Sequence, residues 1–236
     1  MFDSEKLPKH VGIIMDGNRR WAKQHHLPVA LGHSKGAENF KNLAIYCNKI
    51  GLKNMTVYAF STENWKRAEA EVSALMLLFK KYINDVLNKF KDENIKIKFI
   101  GDKSRFSEDI KKGIEDVETK TSAKTGMQLN IAVNYGSRAE IIRSVQELSQ
   151  KIISGSMKPE DITEEVFSSH LYTQGIPDPD LIIRTSGEQR LSNFLLWQAA
   201  YSEFYFSDVL WPDFNEKEFD KAIEEYLKRT RKFGGQ

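Results

Sequence analysis

The chain has 236 residues, 40% of them hydrophobic and 29% charged, which suits a single globular domain spanning 1–236. A net charge of +2 is too small to make nucleic acid the main partner, and the lone cysteine, Cys47, excludes an internal disulfide and fits a reducing compartment. Residues 1–9 lack the apolar core of a signal peptide, and no apolar run approaches the roughly 20 residues that span a bilayer, so a soluble, cytoplasmic protein is expected.

The apolar run Val11–Met15 predicts a short buried strand that stops at the turn pair Asp16-Gly17. An amide, two guanidinium groups and an indole follow at once: Asn18, Arg19, Arg20 and Trp21. Open parallel sheets bind ligands beyond the carboxyl ends of their strands, which makes this corner the leading candidate site. Next comes Gly32-His33-Ser34-Lys35-Gly36, then a helical pattern to about Ile50 with Gly51 at its C-cap. A second strand, Met55–Phe60, ends in Ser61-Thr62-Glu63-Asn64-Trp65-Lys66-Arg67, which is again polar and basic.

The longest helical pattern runs from Glu71 to about Glu93, with Val72, Leu75, Met76, Phe79, Ile83 and Val86 at helical spacing. Leu78 and Tyr82 widen that face, which serves equally as core or as the wall of a hydrocarbon cavity. Ile95–Ile100 alternates apolar and basic residues, as an edge strand does when lysines discourage further pairing. A helix follows from about Ser107, a strand over Met127–Tyr135, and a helix whose Ser137 and Glu140 have capping-box spacing. A short helix and loop occupy 159–175. The brief strand Leu181–Ile183 runs into Arg184-Thr185-Ser186-Gly187-Glu188-Gln189-Arg190-Leu191-Ser192-Asn193. A last strand is expected through Glu203–Phe206 and on towards Trp211. Asn215 then caps a helix to about Lys232, before Gly234-Gly235. Six strands separated by helices predict an α/β fold with a six-stranded, mostly parallel sheet.

Common phosphate signatures are absent: no Walker loop, no Gly-x-Gly-x-x-Gly after a strand, and no Gly-x-Ser-x-Gly elbow. The histidines His10, His25, His26, His33 and His170 lack paired metal-ligand spacing. What stands out is a set of arginines at strand ends: Arg19, Arg20, Arg67, Arg184 and Arg190. A guanidinium fork matches phosphate oxygens in charge and geometry. Asp16 and Glu203 are the carboxylates placed to share a magnesium ion with a diphosphate.

The blocks HVGIIMDGNRRWA, GHSKG, YAFSTENWKR, NYGSR and DLIIRTSGEQRLSNFLLWQAAYSEFYFSDVLWPDF resemble, in order and spacing, the cis-prenyltransferases of the undecaprenyl diphosphate synthase family. That resemblance implies a Z-type condensation of isopentenyl diphosphate onto an allylic diphosphate, usually farnesyl diphosphate. The product is a long-chain polyprenyl diphosphate such as undecaprenyl diphosphate, precursor of the carrier lipid for cell-wall glycan. It also implies magnesium, a homodimer, a hydrophobic tunnel walled by Glu71–Glu93, and peripheral membrane contact through the product. By resemblance Asp16 is the catalytic, metal-linked carboxylate, and Gly17, Asn18, Arg19, Arg20, Trp21 and His33 surround the starter's diphosphate. Ser61, Thr62, Glu63, Asn64, Trp65 and Arg67 form the neighbouring loop, with Asn64 assisting proton removal. Arg184, Arg190, Leu191 and Ser192 hold isopentenyl diphosphate, and Glu203 adds a second metal contact. Two positions depart from the family pattern: Val29 stands where an arginine is usual, and Ala68 where a proline is common. The alternative is a non-catalytic, lipid-diphosphate-binding regulatory subunit of the same fold. Such relatives lose the Asp-Gly-Asn-Arg set, which is complete here at Asp16–Arg19.

Overall fold

A computed structural model describes residues 2–229. Six strands carry the fold: β1 (His10–Ile14), β2 (Asn54–Ser61), β3 (Ile95–Ile100), β4 (Met127–Tyr135), β5 (Leu181–Arg184) and β6 (Glu203–Phe206). They form one sheet in the order β3-β4-β2-β1-β5-β6, with every neighbouring pair parallel. The expected α/β architecture is therefore present, and β3 lies at one edge, as its alternating lysines predict. The helices are α1 (Asn18–Gln24), α2 (Val29–Lys49), α3 (Glu69–Lys89), α4 (Glu108–Thr121), α5 (Ser137–Ile153), α6 (Glu164–Ser168) and α7 (Glu216–Leu227).

Successive residues of a strand face opposite sides of the sheet, and both sides are covered here. Val11 and Ile13 of β1 join a core with Leu43 and Cys47 of α2, Ile83 and Val86 of α3, and Phe219 of α7. Ile14 packs on the other side with Ile182, Phe194 and Leu195. Gly12 shares that crowded side, where a Cβ would come 2.7 Å from Ile182 Cδ1. Cys47 is fully buried, and burial pushes its thiol well above the usual range, so it is a packed group. Among the described residues no helix is long and apolar enough to cross a membrane.

Four local expectations need correction. Helix α2 begins at Val29, with Pro28 as its N-cap, so Gly32 to Gly36 lie inside it. The proposed capping box of α5 is absent: Gly136 is the N-cap, Ser137 Oγ accepts from Leu196 N (3.0 Å), and Glu140 turns inward to Tyr135 and Tyr172. Strand β6 stops at Phe206, and Trp211–Asp213 is a separate 3-10 turn started by Pro212. Helix α7 ends at Leu227, while Lys232 and Gly234-Gly235 lie outside the described residues. Its N-cap is as expected, with Asn215 Oδ1 accepting from Lys217 N at 3.0 Å.

Candidate active site

The parallel register places Ile14 beside both Tyr58 and Arg184, so the chain leaves β1, β2 and β5 on the same side of the sheet. Asp16 sits just past that edge. Its backbone is fixed on both sides: its N–H donates to Thr185 Oγ1 (3.0 Å), and its carbonyl accepts from Thr185 Oγ1 (2.7 Å) and Trp211 N (2.9 Å). Gly17 then takes φ +109, a left-handed conformation that L side chains rarely adopt, with Ser186 Cβ only 3.1 Å from where a Cβ would stand. This turn starts α1 and directs Asn18, Arg19 and Arg20 from the corner.

Arg184, the last residue of β5, is buried and donates from Nη2 to Asp16 Oδ2 at 2.9 Å. Its Nη1 reaches Ser192 Oγ at 2.7 Å and the Arg190 carbonyl. One guanidinium thus ties the Asp16 corner to the loop carrying Arg190, Leu191 and Ser192. Arg20 joins from α1, donating to Ser186 O (2.8 Å) and to Glu188 (3.0 Å), which also pairs with Arg190. These contacts hold Glu188 below the usual carboxylate range. Leu191 packs against the Ile14 and Phe194 side of the core.

A second cationic group forms around Glu71, at the start of α3. Glu71 Oε1 receives Arg67 Nη1 at 3.0 Å and Arg19 Nη1 at 3.4 Å. His33 stands among them, and burial, followed by the nearby Arg67 charge, lowers its pKa below the usual imidazole value. A neutral imidazole between two arginines adds no further positive charge and keeps both hydrogen-bonding nitrogens available.

The loop after β2 is a 3-10 turn, Thr62–Lys66, in which Ser61 N donates to Asn64 Oδ1 at 3.1 Å. That bond occupies the amide oxygen of Asn64, so the side chain shapes the loop. Trp65 does the same by packing: its Nε1 donates to Asn134 Oδ1 (2.7 Å) and its ring meets Phe60 and the Arg105 guanidinium. Glu63 accepts from Asn193 Nδ2 at 2.8 Å. Burial alone would raise its pKa, but bonds from Asn193, its own backbone, Ser61 and Thr62 outweigh it and lower the value.

Below this polar rim lies an apolar cavity of about 170 Å³ between the sheet, α2 and α3. Leu75, Phe79, Tyr82 and Ile83 line it from α3, and Asn18, His33, Lys41 and Lys89 are its polar lining. Six buried side-chain polar atoms lack a hydrogen-bond partner among the described residues; Asn18 Oδ1, Trp21 Nε1, Arg184 Nε and Ser186 Oγ belong to this corner. Buried polar groups are ordinarily paired, and four of these six exceptions fall at this corner.

Glu203 is not brought to Asp16. It pairs in register with Leu181, at the amino ends of the strands, whereas Asp16 follows their carboxyl ends. Three residues of strand, about 10 Å, separate Glu203 from the edge the site occupies. Its carboxylate instead accepts from Arg229 at 2.7 Å. No group of three or more His, Cys, Asp or Glu side chains suited to hold a metal occurs among the described residues. Sequence reasoning also missed Thr185, Glu71 and Trp211, which fasten the site. Trp211 is buried and donates its indole N–H to Gly36 O at 2.8 Å.

Comparison with known proteins decides the family. Residues 14–234 match the family described as putative undecaprenyl diphosphate synthase. The chain belongs to the undecaprenyl diphosphate synthase family. As a member it is a prenyltransferase, and its similarity to individual synthases runs over nearly the whole chain. It is 52% identical to an isoprenyl transferase of Fusobacterium nucleatum, over 98% of this chain and 97% of that one. It is 49% identical to the farnesyl-diphosphate-specific ditrans,polycis-undecaprenyl-diphosphate synthase of Haemophilus influenzae, over 99% and 98%. The fold of the family is equally clear. Lavandulyl diphosphate synthase from Lavandula x intermedia, solved in complex with dimethylallyl diphosphate, superposes with a TM-score of 0.94 at 39% identity, covering 98% of this chain and 99% of that one. A probable undecaprenyl diphosphate synthase from Campylobacter jejuni gives 0.79 at 34% identity, covering 99% of this chain and 100% of that one.

Proposed function

We propose that this protein condenses isopentenyl diphosphate, in Z configuration, onto an allylic diphosphate such as farnesyl diphosphate, making a long-chain polyprenyl diphosphate. One observation carries the reading: His33, which feels the Arg67 and Arg19 charges, also lines the apolar cavity, together with Asn18 of the Gly17 corner. An amphiphile with an anionic head and a hydrocarbon tail fits that arrangement.

The allylic diphosphate lies at the Gly17 turn with Asn18, Arg19, Arg20 and His33, its tail between α3 and the sheet. Isopentenyl diphosphate lies against Arg190 and Ser192, in the loop that Arg184 fixes to Asp16. Breaking the allylic C–O bond sends its electron pair to the departing diphosphate, and the preorganised guanidinium donors stabilise that growing charge. The isopentenyl double bond then attacks the allylic carbon, and a proton leaves the adjacent carbon. The released diphosphate takes that proton. Asn64 contributes by holding the loop, since its amide oxygen is bonded to Ser61 N. Confinement of both reactants in one crevice lowers the entropic barrier.

Magnesium fits the donor set in part. Asp16, 38% exposed, would supply one hard carboxylate ligand, with substrate phosphate oxygens and water as the others. When bound, magnesium offsets charge on the leaving diphosphate. Glu203 of the same chain lies too far along the sheet to share it. Homodimer assembly, a cytoplasmic location and contact with the membrane face through the greasy product belong to the same proposal. Exposed Tyr201 and Phe206, beside the free edge of β6, support an interface between copies.

Purified protein with magnesium, farnesyl diphosphate and radiolabelled isopentenyl diphosphate is expected to form butanol-extractable label. No incorporation under these conditions refutes the reading. Chromatography of the same product gives its chain length, and sedimentation gives the oligomer.

A further inference from the structure

The loop after β5 contains an unusual stretch of backbone: Ser192, Asn193 and Leu195 have φ values of +49, +66 and +47. Non-glycine residues hold the left-handed region only where their surroundings enforce it, and asparagine is among the side chains that tolerate it best. Asn193 is enforced through every polar group it has to offer on this side. Its carbonyl accepts from Ser137 N at 2.8 Å, its Oδ1 accepts from Arg138 N at 2.8 Å, and its Nδ2 donates to Glu63 Oε1 at 2.8 Å.

The first two bonds satisfy the amino terminus of α5, which has glycine at its own N-cap and no side-chain cap of its own. The third crosses to the loop after β2. Asn193 is thus the meeting point of three strand-end loops, those following β2, β4 and β5. Its neighbour Ser192 is held by Arg184 Nη1, and Tyr58 of β2 also approaches the Ser192 carbonyl at 3.4 Å. Gly136 leaves room for the arrangement, because a Cβ there would stand 2.7 Å from Asn193 Nδ2.

We infer that Asn193 is a positioning residue that locks the Glu63 loop and the Ser192 loop to the amino terminus of α5, fixing the isopentenyl diphosphate loop against the segment that carries Arg67 to its place beside His33. This rests on the function proposed above. It contributes no group to the reaction; it sets where the loop after β2, which leads to Arg67, stands relative to the isopentenyl diphosphate loop.

The test exploits the polarity of the bond to Glu63. Asn193→Asp keeps an acceptor for Arg138 N, so α5 stays capped, but it replaces a donor to Glu63 with a second carboxylate. Adding Glu63→Gln restores a bond of reversed direction. In Asn193→Asp, amide hydrogen exchange over residues 61–66 is expected to quicken, and KM for both diphosphates to rise about tenfold with little change in kcat. The double variant E63Q/N193D is expected to recover slow exchange and to bind both substrates better than N193D alone. Asn193→Gly, which keeps the left-handed backbone but no side chain, should behave like N193D if melting shows both folded. Exchange and both KM values within twofold of the parent in N193D, or a double variant no better than N193D, would overturn the inference. Exchange is read without substrate, so the lock is tested even if the parent protein shows no turnover, an outcome that would sink the functional reading alone.

Discussion

Removing the charge of Asp16 while keeping its shape separates catalysis from stability. In Asp16→Asn, Arg184 retains Ser192 Oγ and the Arg190 carbonyl as acceptors and loses only its carboxylate partner. Hydrogen bonds to charged groups contribute about 1.5–3 kcal/mol. Because the Asp16 side chain is 38% exposed while Arg184 is 4% exposed, solvent screens the pair and the loss is expected at about 1–1.5 kcal/mol. For a chain of 236 residues that lowers Tm by about 3–5 °C. Turnover should fall much further. Asp16 acts through the Arg184 guanidinium it anchors and through the magnesium it would hold, and losing its charge is expected to cost roughly a thousandfold, about 4 kcal/mol of barrier. Melting by circular dichroism and incorporation of labelled isopentenyl diphosphate at saturating substrate measure the two effects on one preparation. Asp16→Ala is expected to abolish incorporation with a similar Tm. Activity within tenfold of the parent in Asp16→Asn, or a Tm drop exceeding about 10 °C, would refute the assignment.

Gly36→Ala places a Cβ 2.0 Å from Asn18 Oδ1, so the roughly 1 kcal/mol gained from helix propensity is offset by displacing Asn18. The expected result is a raised KM for the allylic diphosphate with near-parental melting, and an unchanged KM would show that Asn18 does not face it. Phe79→Ala enlarges the cavity at an expected stability cost of about 1–2 kcal/mol for a half-buried ring, and should lengthen the product. Leu75→Trp should shorten it; identical chromatograms for both variants and the parent would remove α3 from the tunnel wall. His10 gives a pH prediction away from the site. Burial lowers its pKa from 6.5 to about 4, with Nδ1 facing Pro177 O and Nε2 facing Thr56 Oγ1, both at 2.6 Å. Below pH 6.5 the unfolded chain takes up a proton that the folded chain refuses until about pH 4. Stability is therefore complete above pH 6.5 and should fall by about 1.4 kcal/mol per pH unit towards pH 4. Denaturant midpoints between pH 7.5 and 5 should show that slope in the parent and a shallower one in His10→Gln; equal slopes would rule His10 out as its source.

The strands and the corner at Asp16 were legible because the physics is local. An apolar run that ends abruptly in Asp-Gly or Ser-Thr-Glu-Asn marks a strand end, and in a parallel sheet such ends share one side. β3 was legible for the same reason: alternating lysines suit only an edge. What stayed hidden depends on which strands become neighbours. Arg184 meets Asp16 across 168 positions of chain only because β5 lies beside β1, and no residue near either one announces that adjacency. The same geometry removes Glu203, which begins its strand whereas Asp16 follows one, so the two carboxylates sit at opposite ends of the sheet.

Glycine and capping signals misled for a related reason. Gly32 and Gly36 read as a loop before a helix, yet both lie within α2, where Cβ atoms would come 2.3 Å from Asn18 O and 2.0 Å from Asn18 Oδ1. Their missing side chains let two helices cross at the site, a demand that appears only once α1 is packed on α2. Ser137 and Glu140 have the spacing of a capping box, but the buried Tyr135 hydroxyl and Tyr172 N–H claim Glu140, and Asn193 from a distant loop bonds the first N–H groups of α5. Local capping chemistry is worth about 1 kcal/mol, whereas a buried hydroxyl or amide left unpaired costs as much or more. The tertiary demand prevails, and the helix end nearest the reactants is held by the loop that also carries Ser192. The residues that select substrate and those that position them are therefore braced against each other, so substitutions at Asn193, Glu63 and Arg184 should show non-additive effects in double-mutant cycles, unlike pairs drawn from α4 and α7.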